Sequence, residues 1–227
     1  MSIIPNTYNG IVSAVIALAE DDSVEFENYL PAAIFLAEER LIKELDVEGL
    51  KSLDYTTTSV GNRIVAKPSG YRFGHNFSCI TSAGTKTLTK KSFDFIKDYW
   101  PFGNTSSSSY PYGQPKYYSD NDNSGFIVAP TPSSAYIVEI QYVKQVSALS
   151  SSIQTNYFTE FAPDALFYGT MSNMAEFMKD YQIQTVWEAK YERAMQNINN
   201  QGRRERRDDA TVPNNTKINK NTLRGDN

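Results

Sequence analysis

The sequence predicts an α+β protein: a helical bundle made from its N- and C-terminal helices, an inserted small antiparallel β lobe and an extended C-terminal arm. Three observations predict it. Apolar residues recur at helical spacing near both ends of the 227-residue chain. The middle carries β-branched and aromatic runs separated by glycine turns. From Arg203 onward the chain turns polar and basic and stays polar to Asn227. The expected division is 1–50 for the first helices, 51–150 for the β-rich insertion, 155–207 for the last helices and 208–227 for the arm.

The last helices come as a pair with a break near Asp180. Ile183, Trp187, Tyr191, Ala194 and Ile198 are spaced four, four, three and four apart, which makes one apolar stripe on a helix of 3.6 residues per turn. In the helix before it, Phe161, Ala165, Tyr168, Ala175 and Met178 share a face, and Leu166, Met171, Met174 and Phe177 broaden it. So apolar a helix needs at least two neighbours. Thr159 fits an N-cap, and Pro163 falls in the opening turn, where a missing N–H costs nothing.

At the other end, residues 7–19 form a short helix with Ile11, Val15 and Leu18 on one face, ended by Asp21 and Asp22. Ser23 can cap a second helix running to about Val47, striped by Phe26, Leu30, Ala33, Ala37, Leu41 and Leu45. Pro31 either opens that helix or kinks it, Glu39 and Lys43 make a favourable i,i+4 pair, and Gly49 stops it. The bundle core is expected at Leu41, Leu166, Trp187, Tyr191 and Ile198.

Between the helices, DYTTTSVGNRIVAK reads as two β runs around Gly61-Asn62, a hairpin signal. FSCITS and KTLT are further strands on either side of Ala83-Gly84, and KSFDFIKDYW is a short helix over 91–100 that stops before Pro101. Residues 101–125 read as a long loop. Its aromatics, among them Tyr110, Tyr112, Tyr117 and Tyr118, suit either a contact surface or a flexible insertion. FIVAP and AYIVEIQYVKQV follow as strands, the latter with Tyr136, Val138, Ile140 and Tyr142 on one apolar face.

Few chemistries survive inspection. The single cysteine, Cys79, excludes an internal disulfide and a multi-thiolate metal site, and it reads as a small core residue. The single histidine, His75, has no accompanying nucleophile motif and reads as a surface or turn residue. Asp21-Asp22 and Glu38-Glu39 are adjacent in sequence, so on a helix they diverge rather than face a substrate, and they read as a solvated face. There is no phosphate loop, no HExxH and no calcium loop, so neither an enzyme nor a cofactor is expected. No apolar run reaches membrane-span length, and MSIIPNTYNG lacks a basic n-region, so folding in a cytoplasm is expected.

Charge is uneven. Residues 203–227 hold seven basic residues (Arg203, Arg204, Arg206, Arg207, Lys217, Lys220, Arg224) against four acidic ones, a surplus of three in a chain whose net charge is −4. An acidic body with a basic tail points to an acidic partner for the tail. The tail's composition is that of a disordered segment, and its spaced Val212, Ile218 and Leu223 suit anchors in a partner's grooves. Fully extended, residues 208–227 reach about 65 Å.

Taken in order, these features resemble the tailed-bacteriophage head-to-tail adaptors, also called connectors or tail tubular protein A-type subunits. LPAAIFLAEERLIKEL (30–45) is similar to the family's LAE-x-R-[LI] helix. LTKKSFDFIKDYWP, GQPKYYS, FIVAPTP and AYIVEIQYV follow in the family's order. TNYFTEFAPDALFYGTMSNMAEFMKD and VWEAKYERAMQNINNQGRRERR carry the strongest likeness. The serine- and tyrosine-rich loop departs from compact members.

The resemblance implies a structural role. Such adaptors form rings, usually of twelve copies, beneath the portal protein; they extend the channel for genomic DNA without reading its sequence and support the next tail component, a nozzle or tail terminator. Their C-terminal arms clamp the portal. Carried onto this chain, the arm would use Arg203, Arg204, Arg206, Arg207, Val212, Ile218, Leu223 and Arg224. The 101–125 loop would face the tail or a neighbouring subunit. The protein would sit at the head–tail junction of the virion after assembly in the host cytoplasm, away from any membrane. Three other readings remain open: a head-completion protein of a long-tailed phage, a nucleic-acid-binding module using the arginine tail, and a tail-associated muramidase, which no carboxylate pair supports.

Overall fold

The computed structural model describes residues 5–45, 48–104 and 111–208, with the backbone path alone at 48 and 205–208. The chain divides into two compact units: residues 1–48 with 147–227, and residues 49–146.

The first unit is helical. α1 (Tyr8–Ala19) opens on Thr7, whose hydroxyl accepts the Gly10 N–H, and closes on Glu20 in the left-handed region (φ 53°). α2 (Val24–Glu44) opens on Ser23, whose hydroxyl accepts the Phe26 N–H, with Glu25 and Glu27 in the first turn and Lys43 in the last, the charge order the helix dipole favours. Pro31 lies inside α2 and is exposed, and the helix continues past it to Glu44. The helix ends at Glu44, before Gly49, and a 3-10 turn spans Glu48–Leu50.

The C-terminal helices number three. α4 (Tyr157–Phe161) is capped by Asn156, whose side chain accepts the Phe158 and Thr159 N–H groups while the Thr159 hydroxyl accepts the Asn156 N–H. Thr159 is therefore the third residue of a capping box rather than the N-cap that sequence reading made it. α5 (Pro163–Phe177) restarts at Ala162 with Pro163 in its first turn. It packs against α1, α2, α4 and α6 (Tyr181–Asp208) and is the buried centre of the bundle. Gly169 makes this close approach possible: a Cβ there would lie 3.3 Å from both the Ala37 methyl and the Tyr191 ring. Asp180 marks the break, its carboxylate accepting the Ile183 N–H at 3.0 Å to open α6.

The second unit holds two four-stranded sheets. The first has the order β1 (Lys51–Thr57), β8 (Ile137–Lys144), β3 (Tyr71–Thr81), β4 (Gly84–Thr87), antiparallel throughout. The second has the order β2 (Ile64–Ala66), β7 (Gly125–Ala129), β6 (Tyr117–Asp120), β5 (Thr89–Lys90), with β5 and β6 parallel. Their facing sides share one cluster that includes Phe77, Cys79, Val138, Ile140 and Tyr142 from the first sheet and Val65, Tyr118, Phe126 and Val128 from the second. α3 (Phe93–Tyr99) covers the other side of the second sheet, where Ile96 and Trp100 meet Ile127 and Ala129. β7 is thus buried on both faces, which is why GFIVA is a continuous apolar run. The Ala129–Pro130 bond that follows it is cis.

Two strand expectations change. The hairpin expected at Gly61-Asn62 does not form: β1 pairs along its whole length with β8, and β2 pairs with β7 in the other sheet. The turn residues act locally, with Gly61 at φ 72° and the Asn62 carboxamide accepting the Ile64 N–H, but the Gly61 N–H bonds the Pro132 carbonyl rather than closing a ladder. The loop expected over 101–125 also contains β6, so only part of it is irregular.

Candidate functional site

The helical unit is wired by charge across three helices. Arg40 on α2 donates two parallel hydrogen bonds to the Glu188 carboxylate on α6, and its Nε bonds Glu44 Oε1 at 2.9 Å. Its guanidinium lies 4.0 Å from the centre of the Tyr191 ring. The Tyr191 hydroxyl donates to Glu44 Oε2 at 2.9 Å, and Ser172 on α5 donates to Glu188 Oε2 at 3.0 Å. A planar fork, a flat ring and two carboxylates fix direction as well as distance. The hydrogen bonds from Arg40 hold the Glu188 carboxyl below its ordinary range, and burial pushes the Tyr191 phenol up. The network ties α6 to α2 and to α5.

A second carboxylate pins the chain's return from the β unit. Glu38 is 5% exposed. It accepts the Leu149 N–H at 3.2 Å on each oxygen and the side-chain N–H of Asn156, which also donates to the Ser147 carbonyl. Burial pushes its pKa up to about 7, against the pull of those hydrogen bonds. This overturns the solvated-face reading of Glu38-Glu39. Glu38 falls between Ile34 and Leu41 on the buried stripe of α2, a position that signals a partnered carboxylate.

The residues proposed from sequence scatter. Leu41, Leu166 and Tyr191 are fully buried in the bundle. Trp187 and Ile198 are only half-buried. The inward row of α6 runs through Gln184, Glu188, Tyr191, Met195, Ile198 and Gly202, one step round from the stripe that began at Ile183, and it leaves Ile183 exposed. Arg203 and Arg204 are exposed on the last turns of α6, and Arg206 and Arg207 lie on its helical backbone. Val212, Ile218, Leu223 and Arg224 lie outside the described residues, as does Tyr110.

The other loop tyrosines are structural. Tyr118 is buried, its ring stacked 4.1 Å from that of Phe77. Tyr117 meets Phe95 and Tyr99 edge-on. The half-buried Tyr112 donates its hydroxyl to the Asn104 carbonyl. Tyr117 and Tyr118 read as surface residues in sequence because the polar segment hid the strand that carries them. Sequence reasoning missed the Arg40–Glu188–Tyr191 arrangement because its members stand nearly 150 positions apart.

Among the described residues no cluster of His, Cys, Asp and Glu could hold a metal ion, and no helix is long and apolar enough to cross a membrane. Cys79 is buried, and desolvation pushes its thiol pKa up; His75 is exposed, 3.3 Å from the Lys51 amine. A search of curated proteins finds no match. A family model described as SU10 adaptor protein matches residues 6–217, which takes in the second unit whole and most of the first. The chain belongs to the SU10 adaptor family of phage structural proteins.

Proposed function

We propose that this chain is one subunit of an adaptor ring, usually of twelve copies, docked beneath the portal at the head–tail junction of the virion. In this reading the helical unit builds the ring wall, genomic DNA passes through the channel without sequence-specific contact, and the opposite rim receives the next tail component. The observation that carries it is α6. It is held to α2 through Arg40–Glu188 and runs on to Asp208, past exposed Arg203 and Arg204, before the segment rich in Asn, Thr and Lys begins.

The arm residues Arg203, Arg204, Arg206, Arg207, Val212, Ile218, Leu223 and Arg224 would dock on the portal. Arginines suit bidentate pairing with portal carboxylates, and many weak anchors repeated around a ring sum to a tight assembly. An acidic body lets DNA slide rather than stick.

The test is deletion of residues 208–227. The truncated chain should keep its helical circular dichroism and melting midpoint while capsids fail to retain it. Capsids carrying a full complement of the truncated chain would remove the arm from portal docking. The basic segment also motivates a second reading, a nucleic-acid-binding module. Tight DNA binding by the purified chain, falling steeply with salt, would favour that reading over the ring.

A further inference from the structure

The first sheet of the β unit has two open edges. Its order β1-β8-β3-β4 leaves β1 on one side and β4 on the other. Main-chain groups of successive strand residues turn to opposite sides. The Thr58 N–H, which continues the β1–β8 ladder, bonds the Tyr136 carbonyl. Leu53, Tyr55 and Thr57 therefore turn their N–H and C=O groups away from β8. Among the described residues only the Tyr55 N–H of this outward row finds a partner, the Asp54 carboxylate at 3.0 Å. On the far side, the Leu88 N–H just past β4 bonds the Phe77 carbonyl, so Thr85 and Thr87 turn outward. Their main-chain groups have no partner among the described residues. Such an edge is a template for pairing unless proline or a bulge guards it. β1 has no proline and pairs with β8 without a register shift, and its Leu53 and Tyr55 are 53% and 57% exposed. β4 is exposed at every residue.

The two edges match in direction, height and chemistry. Three antiparallel steps separate β1 from β4, so the two strands run oppositely. The register runs Thr57, Ile137, Ile80, Thr85 along one row and Tyr55, Glu139, Ser78, Thr87 along the next. The open groups of the two edges thus stand at one level. Tyr55, Thr57, Thr85 and Thr87 share the face away from the aromatic cluster, where the Tyr55 hydroxyl hydrogen-bonds Glu139. Laid side by side, Thr57 meets Thr85 and Tyr55 meets Thr87, a threonine pair and an aromatic–β-branched pair, both favourable across strands. On the other face, Asp54, beside the Tyr142 hydroxyl, comes diagonal to Lys86.

We propose that β4 of one copy adds to β1 of the next, in register at Thr85–Thr57 and Thr87–Tyr55, so that their first sheets run on as one. Each such pair exchanges two N–H···O=C bonds, so about four form per contact. The Tyr55 N–H passes from the Asp54 carboxylate to the Thr87 carbonyl, and that carboxylate turns to Lys86. Opposite edges make a heterologous contact, and a contact without offset along the strands closes into a ring rather than a filament. Few bonds per contact suffice when every contact of a ring forms together on a template. The inference rests on the adaptor reading above and assigns a subunit contact within it.

The test uses the full-length chain carrying Thr57→Cys with Thr85→Cys, each single variant, and the offset pair Leu53→Cys with Thr85→Cys. Within one copy Thr57 and Thr85 lie three strand spacings apart, roughly 14 Å, too far for a disulfide. Cys79 is buried, so it stays out of the reaction. Each protein is mildly oxidised, concentrated alone and also mixed with portal, and separated without reductant. The in-register pair should give a ladder of covalent multimers, and the single variants and the offset pair none. Thr87→Pro removes an N–H that faces away from β3, so the near-ultraviolet aromatic spectrum should persist while association weakens roughly tenfold. If that spectrum is lost, the ladder decides alone.

Dimers from a single variant would mean that like edges meet. A ladder from the offset pair would mean a different register, and rings of full mass without a ladder would place the contact elsewhere. Each of these overturns the proposal and leaves the adaptor reading standing, as does a folded Thr87→Pro chain that assembles like the wild type. A ladder that appears only when residues 209–227 are deleted would show that the arm occupies an edge, which also overturns it. Wild-type protein that stays monomeric both alone and with portal would sink the adaptor reading as well.

Discussion

Where the β unit fills its centre with rings, the helical unit carries charge into its packing. Phe77 stacks on Tyr118 and meets Phe126 edge-on at 4.6 Å, and the charge that comes up to these rings is Lys67, paired with Asp120, its amine 4.8 Å from the centre of Phe126. The bundle instead buries Glu38 against two N–H donors and locks Arg40 between Glu188, Glu44 and Tyr191. Aromatic packing rewards volume and tolerates rotation. Forked ion pairs reward one geometry only. The difference fits a molecule in which one unit needs a stable interior and the other must aim its last helix.

The comparison breaks most visibly at the aromatic centre. Phe126→Ala removes a fully buried ring that touches Phe77, Tyr71 and Tyr118. It should cost about 3–5 kcal/mol, read as a lower urea midpoint in the near-ultraviolet aromatic signal. The two units have separate cores, so the far-ultraviolet helical signal should persist to higher urea than the aromatic one. Coincident loss of both signals would show that the units fold as one body and that the contrast between them has no energetic meaning.

The buried carboxylate comes next. The folded state raises the Glu38 pKa from 4.5 to about 7. Between those values the native state binds a proton that the unfolded chain has released, so stability falls as pH rises through that window. The full swing is on the order of 3 kcal/mol. Glu38→Gln keeps an oxygen for the Leu149 N–H but cannot ionise. The wild type should therefore lose stability between pH 5 and pH 8 by more than the variant does, when urea midpoints are compared at both. Equal slopes would mean that another group titrates there, or that water reaches the carboxylate.

Sequence periodicity exposed the helices because burial on one side repeats every turn: the whole predicted stripe of α2 is buried, whereas Leu18, Phe161 and Ile183, read as members of the other stripes, are exposed. Strand identity in FSCIT, FIVAP and AYIVEIQYV was equally plain from alternation. Pairing was not. Gly61-Asn62 carries the local chemistry of a hairpin turn, yet the ladders of β1 and β2 go to partners some 60 to 90 residues later in the chain. Long-range choice between possible partners leaves no mark in a short window.

The candidate surfaces were half visible. The exposed arginines at the end of α6 show in composition, while Tyr118 was misread because its neighbours Lys116, Ser119 and Asp120 are polar. Ile183 was taken into a core stripe, yet it is 46% exposed. An outward apolar residue one step from the true inward row has the same spacing as an inward one.

Trp187 carries the smallest expected effect and sharpens the comparison furthest. Its ring stacks on Tyr168 at 6.0 Å and meets Phe167 edge-on, while the Lys190 amine lies 3.8 Å from its centre. Because it is only half-buried, Trp187→Ala should cost the isolated subunit about 1–2 kcal/mol, less than a fully enclosed aromatic would. The urea midpoint of the far-ultraviolet helical signal checks it; a loss as large as that expected for Phe126→Ala would mean that the Trp187 ring is enclosed.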